Sequence, residues 1–237
     1  MSEFPEAMPH GAIEEVFADV FFVTGTMQGE FFGSTWQFSR NMTIVREDGR
    51  LTLISAVRLD DAGLTALEAL GKVAHVVRLG AMHGHDDAFY VDRYDATYWA
   101  MPDTPAGDGP AFDEDLADGN LPLGSCSLFS FKTTKLPEGI LRLDREGGIM
   151  IACDSLQNWV APDEYFWDET VETMRGMGFF TPANLGPAWM HVSAPAAPDF
   201  ARLKEVPFSH ALCGHGAPLR DTAQEDFHAT FARVFDV

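Results

Sequence analysis

Cysteine is scarce in this sequence. There are three in 237 residues, Cys126, Cys153 and Cys213, and no two stand in a C-x-x-C pair. That excludes a disulfide framework and a thiolate zinc ribbon, and makes a reducing, cytoplasmic location the expectation. Basic residues are also few. Sixteen Lys and Arg face 36 Asp and Glu, for a formal charge of −20. A surface this negative repels phosphate backbones and anionic lipid headgroups, so neither nucleic acid nor a membrane is expected as a partner. No apolar run approaches the roughly 18 residues that span a bilayer. The opening stretch MSEFPEAMPHGAIEE is acidic and lacks the apolar centre of a signal peptide.

Apolar residues, by contrast, are plentiful at 46%, enough for a buried core in one domain covering residues 1–237. The first third carries β signals at Asp19–Thr24, Thr35–Phe38 and Met42–Arg46. A Glu47-Asp48-Gly49 turn and a returning strand Leu51–Ser55 follow. The period then changes. Leu64, Leu67 and Leu70 predict a helix over Asp60–Leu70, and Val73–Leu79 reads as a buried strand. A short helix Phe89–Tyr94 and a strand Ala96–Ala100 come next, then a loop-like connection over 102–124, rich in Pro, Gly and acidic residues.

The second half repeats the theme, with strands at Ser127–Phe131, Gly139–Leu143, Gly148–Cys153 and Phe208–Cys213. Helices are expected at Glu164–Arg175 and Thr222–Val234, the latter with Phe227, Phe231 and Val234 on one stripe; residues 176–198 read as irregular. Strands followed by a helix, twice over, predict two sheets packed face to face with helices outside.

Three segments could carry chemistry. Met82-His83-Gly84-His85-Asp86-Asp87-Ala88 follows a strand and combines imidazole and carboxylate, the ligand types for Zn²⁺, Mn²⁺ or Fe. It also fits a polar helix start capped by Asp86 or Asp87. Asp154 follows the strand Gly148–Cys153, where a functional carboxylate or an Asx-turn would sit. His215 lies between Gly214 and Gly216 after the last strand, and the glycines allow close backbone approach. Cys153 and Cys213 are candidate thiols but read more readily as core residues. Aromatics from Trp159 to Trp189 (Trp159, Tyr165, Phe166, Trp167, Phe179, Phe180, Trp189) could wall a pocket or form core beneath a long loop.

The order of these segments resembles the metallo-β-lactamase superfamily, over roughly residues 18 to 235. The resemblance implies an α+β, four-layer αββα sandwich with a metal site along one edge of the two sheets. It implies His83, His85, Asp87, Asp154 and His215 as metal ligands, with Ala88 where the family's H-x-H-x-D-H ends in His. A shifted register, with Ala81, His83, His85 and Asp86 at the four positions, is open beside it. The family's remaining His lies in a G-H-T-P-G-like turn, and Lys135 of Thr134-Lys135-Leu136-Pro137-Glu138-Gly139 takes its place. Asp154 and Lys135 are thereby the candidate catalytic residues, as an ion pair that competes with a metal. The implied cofactor is Zn²⁺ or another divalent metal, one ion or none. The implied function is that of a metal-dependent hydrolase with a reduced site, acting on a small molecule. The alternative is an inactive member that binds a small ligand or a protein.

Overall fold

The computed structural model describes residues 4–107 and 109–237; the first three residues of the acidic opening stretch and Asp108 of the 102–124 connection lie outside the described residues. The first half forms one sheet whose strands lie in chain order: β1 (Glu14–Phe17), β2 (Val20–Phe31), β3 (Ser34–Glu47), β4 (Arg50–Ile54), β5 (Lys72–Arg78), β6 (Thr97–Ala100) and β7 (Glu114–Asp115). The β1–β4 strands are antiparallel, and β4 to β7 run parallel. Helix α1 (Asp61–Leu70) makes the β4–β5 crossover, and α2 (Asp87–Tyr94) makes the β5–β6 one. The Asp60 side chain accepts from Gly63 N at 2.8 Å and so caps α1.

The second half supplies a four-stranded sheet in the order β13 (His210–Cys213), β10 (Ile149–Ala152), β9 (Gly139–Leu143), β8 (Cys126–Ser130). Between β10 and β13 run the small pair β11 (Leu156–Gln157) and β12 (Asn184–Leu185) and helices α3 (Asp168–Gly176), α4 (Pro187–Ser193) and α5 (Ala197–Lys204). Helix α6 (Ala223–Phe235) closes the chain.

Strand alternation builds the layers. In β2, Val20 and Phe22 point between the sheets, where they join Ile149 and Ile151 of β10. Phe21 and Val23 point outward, against Leu64 and Leu67 of α1 and Tyr90 of α2. Met150 and Ala152 point outward from the second sheet, against Phe200 of α5 and Phe227 and Phe231 of α6. Two sheets thus share an inner core and each carries helices on its outer face, which is the expected αββα sandwich.

Several local expectations change. Strands β2 and β3 run 12 and 14 residues, far beyond the expected Asp19–Thr24, and the expected Thr35–Phe38 and Met42–Arg46 fuse into one strand. The reason is that Ser39, Arg40 and Asn41 between them are buried polar residues, which break the apolar alternation yet are held by hydrogen bonds. Phe32 and Gly33, at φ +52° and +82°, make the two-residue turn at the tip of this hairpin. Helix α3 begins at Asp168 instead of Glu164. Tyr165 N is tied to Asp163 Oδ1 at 3.0 Å and Trp167 N to Gln37 O at 3.2 Å, which holds the preceding residues in a turn. Residues 176–198 are not irregular throughout: Pro187 starts α4, where its lost N–H is harmless. Val234 is exposed, so the α6 stripe is Phe227 and Phe231. Among the described residues no helix is long and apolar enough to cross a membrane.

Candidate metal centre and its pocket

Asp154 and His215 meet because β10 and β13 are adjacent and parallel, with Ala152 opposite Cys213. Two residues further along each chain, Asp154 stands beside His215, and Asp154 Oδ1 lies 3.1 Å from His215 Nε2. His83 comes from the other sheet. The chain leaving β5 bridges to the second sheet through Gly80 and Glu138, with Gly139 N donating to Leu79 O at 2.8 Å. This carries His83 Nε2 to 3.3 Å from His215 Nε2 and 3.5 Å from Asp154 Oδ2.

The two glycines around His215 are both required. A Cβ on Gly214 would lie 2.8 Å from His83 Cε1, so the His83 ring occupies the space a side chain would need. Gly216 has φ +85°, and a Cβ there would be 2.1 Å from Asn158 C.

The three side chains are buried: 7%, 10% and 9% of the His83, Asp154 and His215 side chains are exposed. Burial opposes the Asp154 carboxylate, but His83 and His215 outweigh it and hold it well below the usual carboxylate range. Burial pushes His215 down, against the pull of Asp154, and leaves it neutral at pH 7. His215 Nδ1 faces the Ser39 carbonyl at 3.3 Å and Nε2 faces Asp154 Oδ1 at 3.1 Å, so both ring nitrogens meet acceptors while a neutral ring has one proton to give. One of the two contacts therefore needs a second proton or a metal ion between its atoms. His83 Nε2 and His215 Nε2 lie 3.3 Å apart, the spacing of about 3.3 Å between two tetrahedral ligand atoms around a metal at about 2.0–2.1 Å, and each meets a different oxygen of Asp154, Oδ2 at 3.5 Å and Oδ1 at 3.1 Å. The donor set therefore fits a divalent metal of the zinc type.

The structure places the other expected ligands elsewhere. His85 is exposed on the pocket wall and joins neither of the groups of converging ligand atoms found among the described residues. Asp87 is fully buried in the first turn of α2, where it accepts from Tyr98 Oη at 2.9 Å; burial raises its carboxyl to about 6. Asp86 pairs with Arg40 and leaves α2 without a side-chain cap. Only His83 of this segment reaches the centre, so neither register delivers its second ligand. The Lys135–Asp154 pair is likewise corrected. Lys135 is exposed, its backbone N donates to Ser193 O at 2.8 Å, and it lines a separate cleft with Pro137 and Thr134. The turn directs the next carboxylate inward instead.

That carboxylate, Glu138, is a residue the sequence did not single out. It is 2% exposed, Ser155 N donates to its Oε1 at 2.5 Å, and burial together with Asp154 pushes it well above the usual range. It forms a second group of nearby ligand atoms with Cys153 and Asp154. The buried Cys153 thiol, also pushed up, donates to Asp154 Oδ2 at 3.3 Å. Cys213 packs into the outer core, and its thiol is pushed up to about 12 by burial. Asn41 is a second missed residue. Its Nδ2 donates to Cys213 O at 3.0 Å and to Gly216 O at 2.7 Å, and so pins the His215 loop to the first sheet. A polar residue inside a strand gives no local sign of a partner 170 residues away.

The centre forms the floor of a cavity of about 310 Å³. Phe31, Trp36 and Phe38 of the β2–β3 hairpin line it together with Trp159, Phe179 and Trp189, with Trp36 edge-on to Phe179 and Phe38 edge-on to Trp159. Trp159 packs on His215 with ring centroids 4.5 Å apart and ring planes tilted by 36°. Of the remaining aromatics, Phe166 and Phe180 pack against Trp159, Tyr165 lines a different cleft, and Trp167 is 40% exposed.

No family model matches the sequence, and no curated protein matches it. Solved structures do match. The DIM-1 metallo-β-lactamase exposed to ceftazidime superposes with a TM-score of 0.59 at 14% identity, over 98% of this chain and 99% of that one. TMB-1 gives 0.61 at 12% identity, over 93% and 96%. The metallo-β-lactamase FIM-1 from Pseudomonas aeruginosa, in its mono-zinc form, gives 0.57 at 15% identity, over 97% of each chain. At this identity the likeness is one of fold, and the chain has the metallo-β-lactamase fold.

Proposed function

We propose that this protein is a metal-dependent hydrolase of small molecules with a single metal ion held by His83, Asp154 and His215. The observation that carries the reading is the convergence of three buried ligand groups, two imidazoles and one carboxylate, on the floor of an aromatic cavity. That FIM-1, a protein of the same fold, is known in a mono-zinc form supports the one-ion stoichiometry.

Three protein ligands leave a fourth position for water, and a bound zinc-type ion would supply a Lewis acid and a water of lowered pKa there. The protein's own residues prepare the place. With its proton on Nδ1 toward Ser39 O, His215 would turn the Nε2 lone pair to the ion. Glu138 holds the backbone after Asp154 through Ser155 N, and the Cys153 thiol orients Oδ2. Trp159 and Phe38 exclude bulk water from the His215 side. His85 lies exposed at the wall of the same cavity.

The test is metal analysis of purified protein after zinc loading and dialysis. One zinc per chain is expected, lost in His83→Ala, together with turnover of a neutral aryl ester. Failure to hold stoichiometric metal, or unchanged metal content in His83→Ala, overturns the reading. One observation favours a second reading, a ligand-binding protein without turnover: among the described residues the buried His83 Nδ1 has no hydrogen-bond partner to orient that ring from behind. Stoichiometric zinc without turnover of any ester would select it.

A further inference from the structure

We infer that the cavity above His83, Asp154 and His215 takes a ligand with a long apolar acyl or alkyl chain, its polar end at the centre and its chain laid along the aromatic wall to Phe32 at the rim. Calling that ligand the substrate, and placing its polar end at the centre, rests on the hydrolase reading; the apolar chain is assigned from the walls.

The first observation is a continuous run of rings from floor to rim. Trp159 packs on His215 with centroids 4.5 Å apart, and Phe38 meets Trp159 at 6.0 Å. Phe31 follows at 5.3 Å from Phe38, Trp36 at 5.8 Å from Phe31, and Phe32 at 5.4 Å from Trp36. All five line the cavity, and they pass from 2% exposed at Trp159 to 55% at Phe32. An apolar surface that starts at a buried polar centre and ends in solvent is complementary to an elongated apolar group. At about 310 Å³ the cavity has room for about a dozen carbons, since a dry cavity of about 150 Å³ takes one benzene.

The rim is the second. Met82 and Val192 line the cavity as Phe32 does, and they are 39% and 40% exposed, so large apolar side chains stand in water where the cavity opens. Exposed apolar surface continuous with a cavity is surface for a ligand to cover. Phe32 also has φ +52°, a conformation rare for a bulky residue and suited to Gly or Asn. The turn alone gives no reason for an aromatic ring there, whereas covering the end of a chain does.

The polar groups of the lining are the third. His83, Asp154 and His215 converge on the floor. Arg40 pairs with Asp86 and donates from Nη1 to Ala56 O at 3.1 Å, and Gln157 Nε2 donates to Phe179 O at 3.0 Å, so both are engaged with the protein. Glu30 and His85 are exposed. The five rings touch in succession, so the demand for polar partners falls at the two ends of the run, imidazole and carboxylate inside and water outside.

The test is calorimetry of the full chain with the straight-chain primary alcohols hexanol, octanol, decanol, undecanol and dodecanol. The hydroxyl is the same throughout, so the dependence on chain length does not turn on what the hydroxyl meets at the floor, zinc or none. One alcohol per chain is expected, tighter by about three-fold for each added methylene through dodecanol. Phe32→Asn suits the left-handed turn and should melt as the parent does. It should weaken dodecanol about five-fold or more and hexanol less than about two-fold. Affinity that levels off at octanol, or naphthylmethanol bound as tightly as undecanol, which has the same number of carbons, would overturn the inference in favour of a compact ring. Dodecanol affinity unchanged in Phe32→Asn would overturn the path to the rim. A dimer that Phe32→Asn dissociates, with no saturable binding of any alcohol, would assign the rim to a second copy instead. Each result is separate from the hydrolase reading. A protein that fails to hold zinc but follows chain length loses only that reading, and a zinc-loaded, active protein indifferent to chain length loses only this one.

Discussion

Asp87 offers the cleanest separation between a metal ligand and a buried structural carboxylate. It is fully buried, its carboxyl is raised to about 6 from an ordinary 3.8, and burial is the leading cause, opposed by Tyr98 and by the charges of Arg78, Arg40 and His83. Because the folded-state value lies above the unfolded one, the folded protein holds this proton more tightly. Stability is therefore lost as pH rises from about 4 to about 6 and stays at the lower level above that. A shift of about two units corresponds to roughly 3 kcal/mol at neutral pH. Asp87→Asn keeps an acceptor for Tyr98 Oη and removes the charge, at the expense of some attraction to Arg40 and Arg78. We expect a net gain of about 1–3 kcal/mol at pH 7, or about 2–10 °C in Tm for a chain of this size, and almost none at pH 4. Urea denaturation of metal-stripped parent and variant at the two pH values measures it, with unchanged m-values. A difference that is the same at pH 4 and pH 7, or a variant less stable than the parent at pH 7, would refute the reasoning. Zinc stoichiometry should be unchanged in Asp87→Asn; its loss would return Asp87 to the ligand set.

Further outcomes follow from the same geometry. Gly214→Ala places a methyl 2.8 Å from His83 Cε1 and 3.0 Å from Cys153 O, so zinc affinity should fall by about ten-fold or more at a stability cost of about 1–3 kcal/mol; zinc titration with unchanged affinity would contradict this. Asn41→Ala removes the donors to Cys213 O and Gly216 O and should cost about 2–4 kcal/mol in urea denaturation, since two carbonyls lose their buried partner. Lys135→Ala, at an exposed position with no side-chain role at the centre, should change stability by less than about 0.5 kcal/mol and leave zinc affinity as it was; altered zinc binding would reinstate the Lys135–Asp154 pairing.

Much of the architecture was legible because it is written in local periodicity. Leu64 and Leu67 bury the inner stripe of α1, and Phe227 and Phe231 that of α6. Alternation in Ile149–Ala152 already separates inner from outer core. The chemical types at the centre were legible too, since His83, Asp154 and His215 each follow a strand end. What local pattern could not carry was which of the neighbouring polar residues turn inward. His85 and Asp87 share the segment of His83, yet one faces the pocket wall and the other is buried in the start of α2 against Tyr98. Lys135 and Glu138 share one turn, yet the sheet-to-sheet bridge at Gly80 points the carboxylate in and leaves the lysine outside.

The sequence by itself determined the two-sheet sandwich with its outer helices and the candidate chemistry of imidazole and carboxylate at strand ends. The tertiary structure alone decided which of the candidate ligands converge. Asp154 faces His215 through the parallel register of two strands whose ends lie 61 residues apart in the chain, Ala152 opposite Cys213. His83 joins them from the other sheet only because Gly214 leaves room for its ring. The physical reason is that side-chain period follows from one strand or helix, whereas register, strand order and close approach are settled by packing between elements.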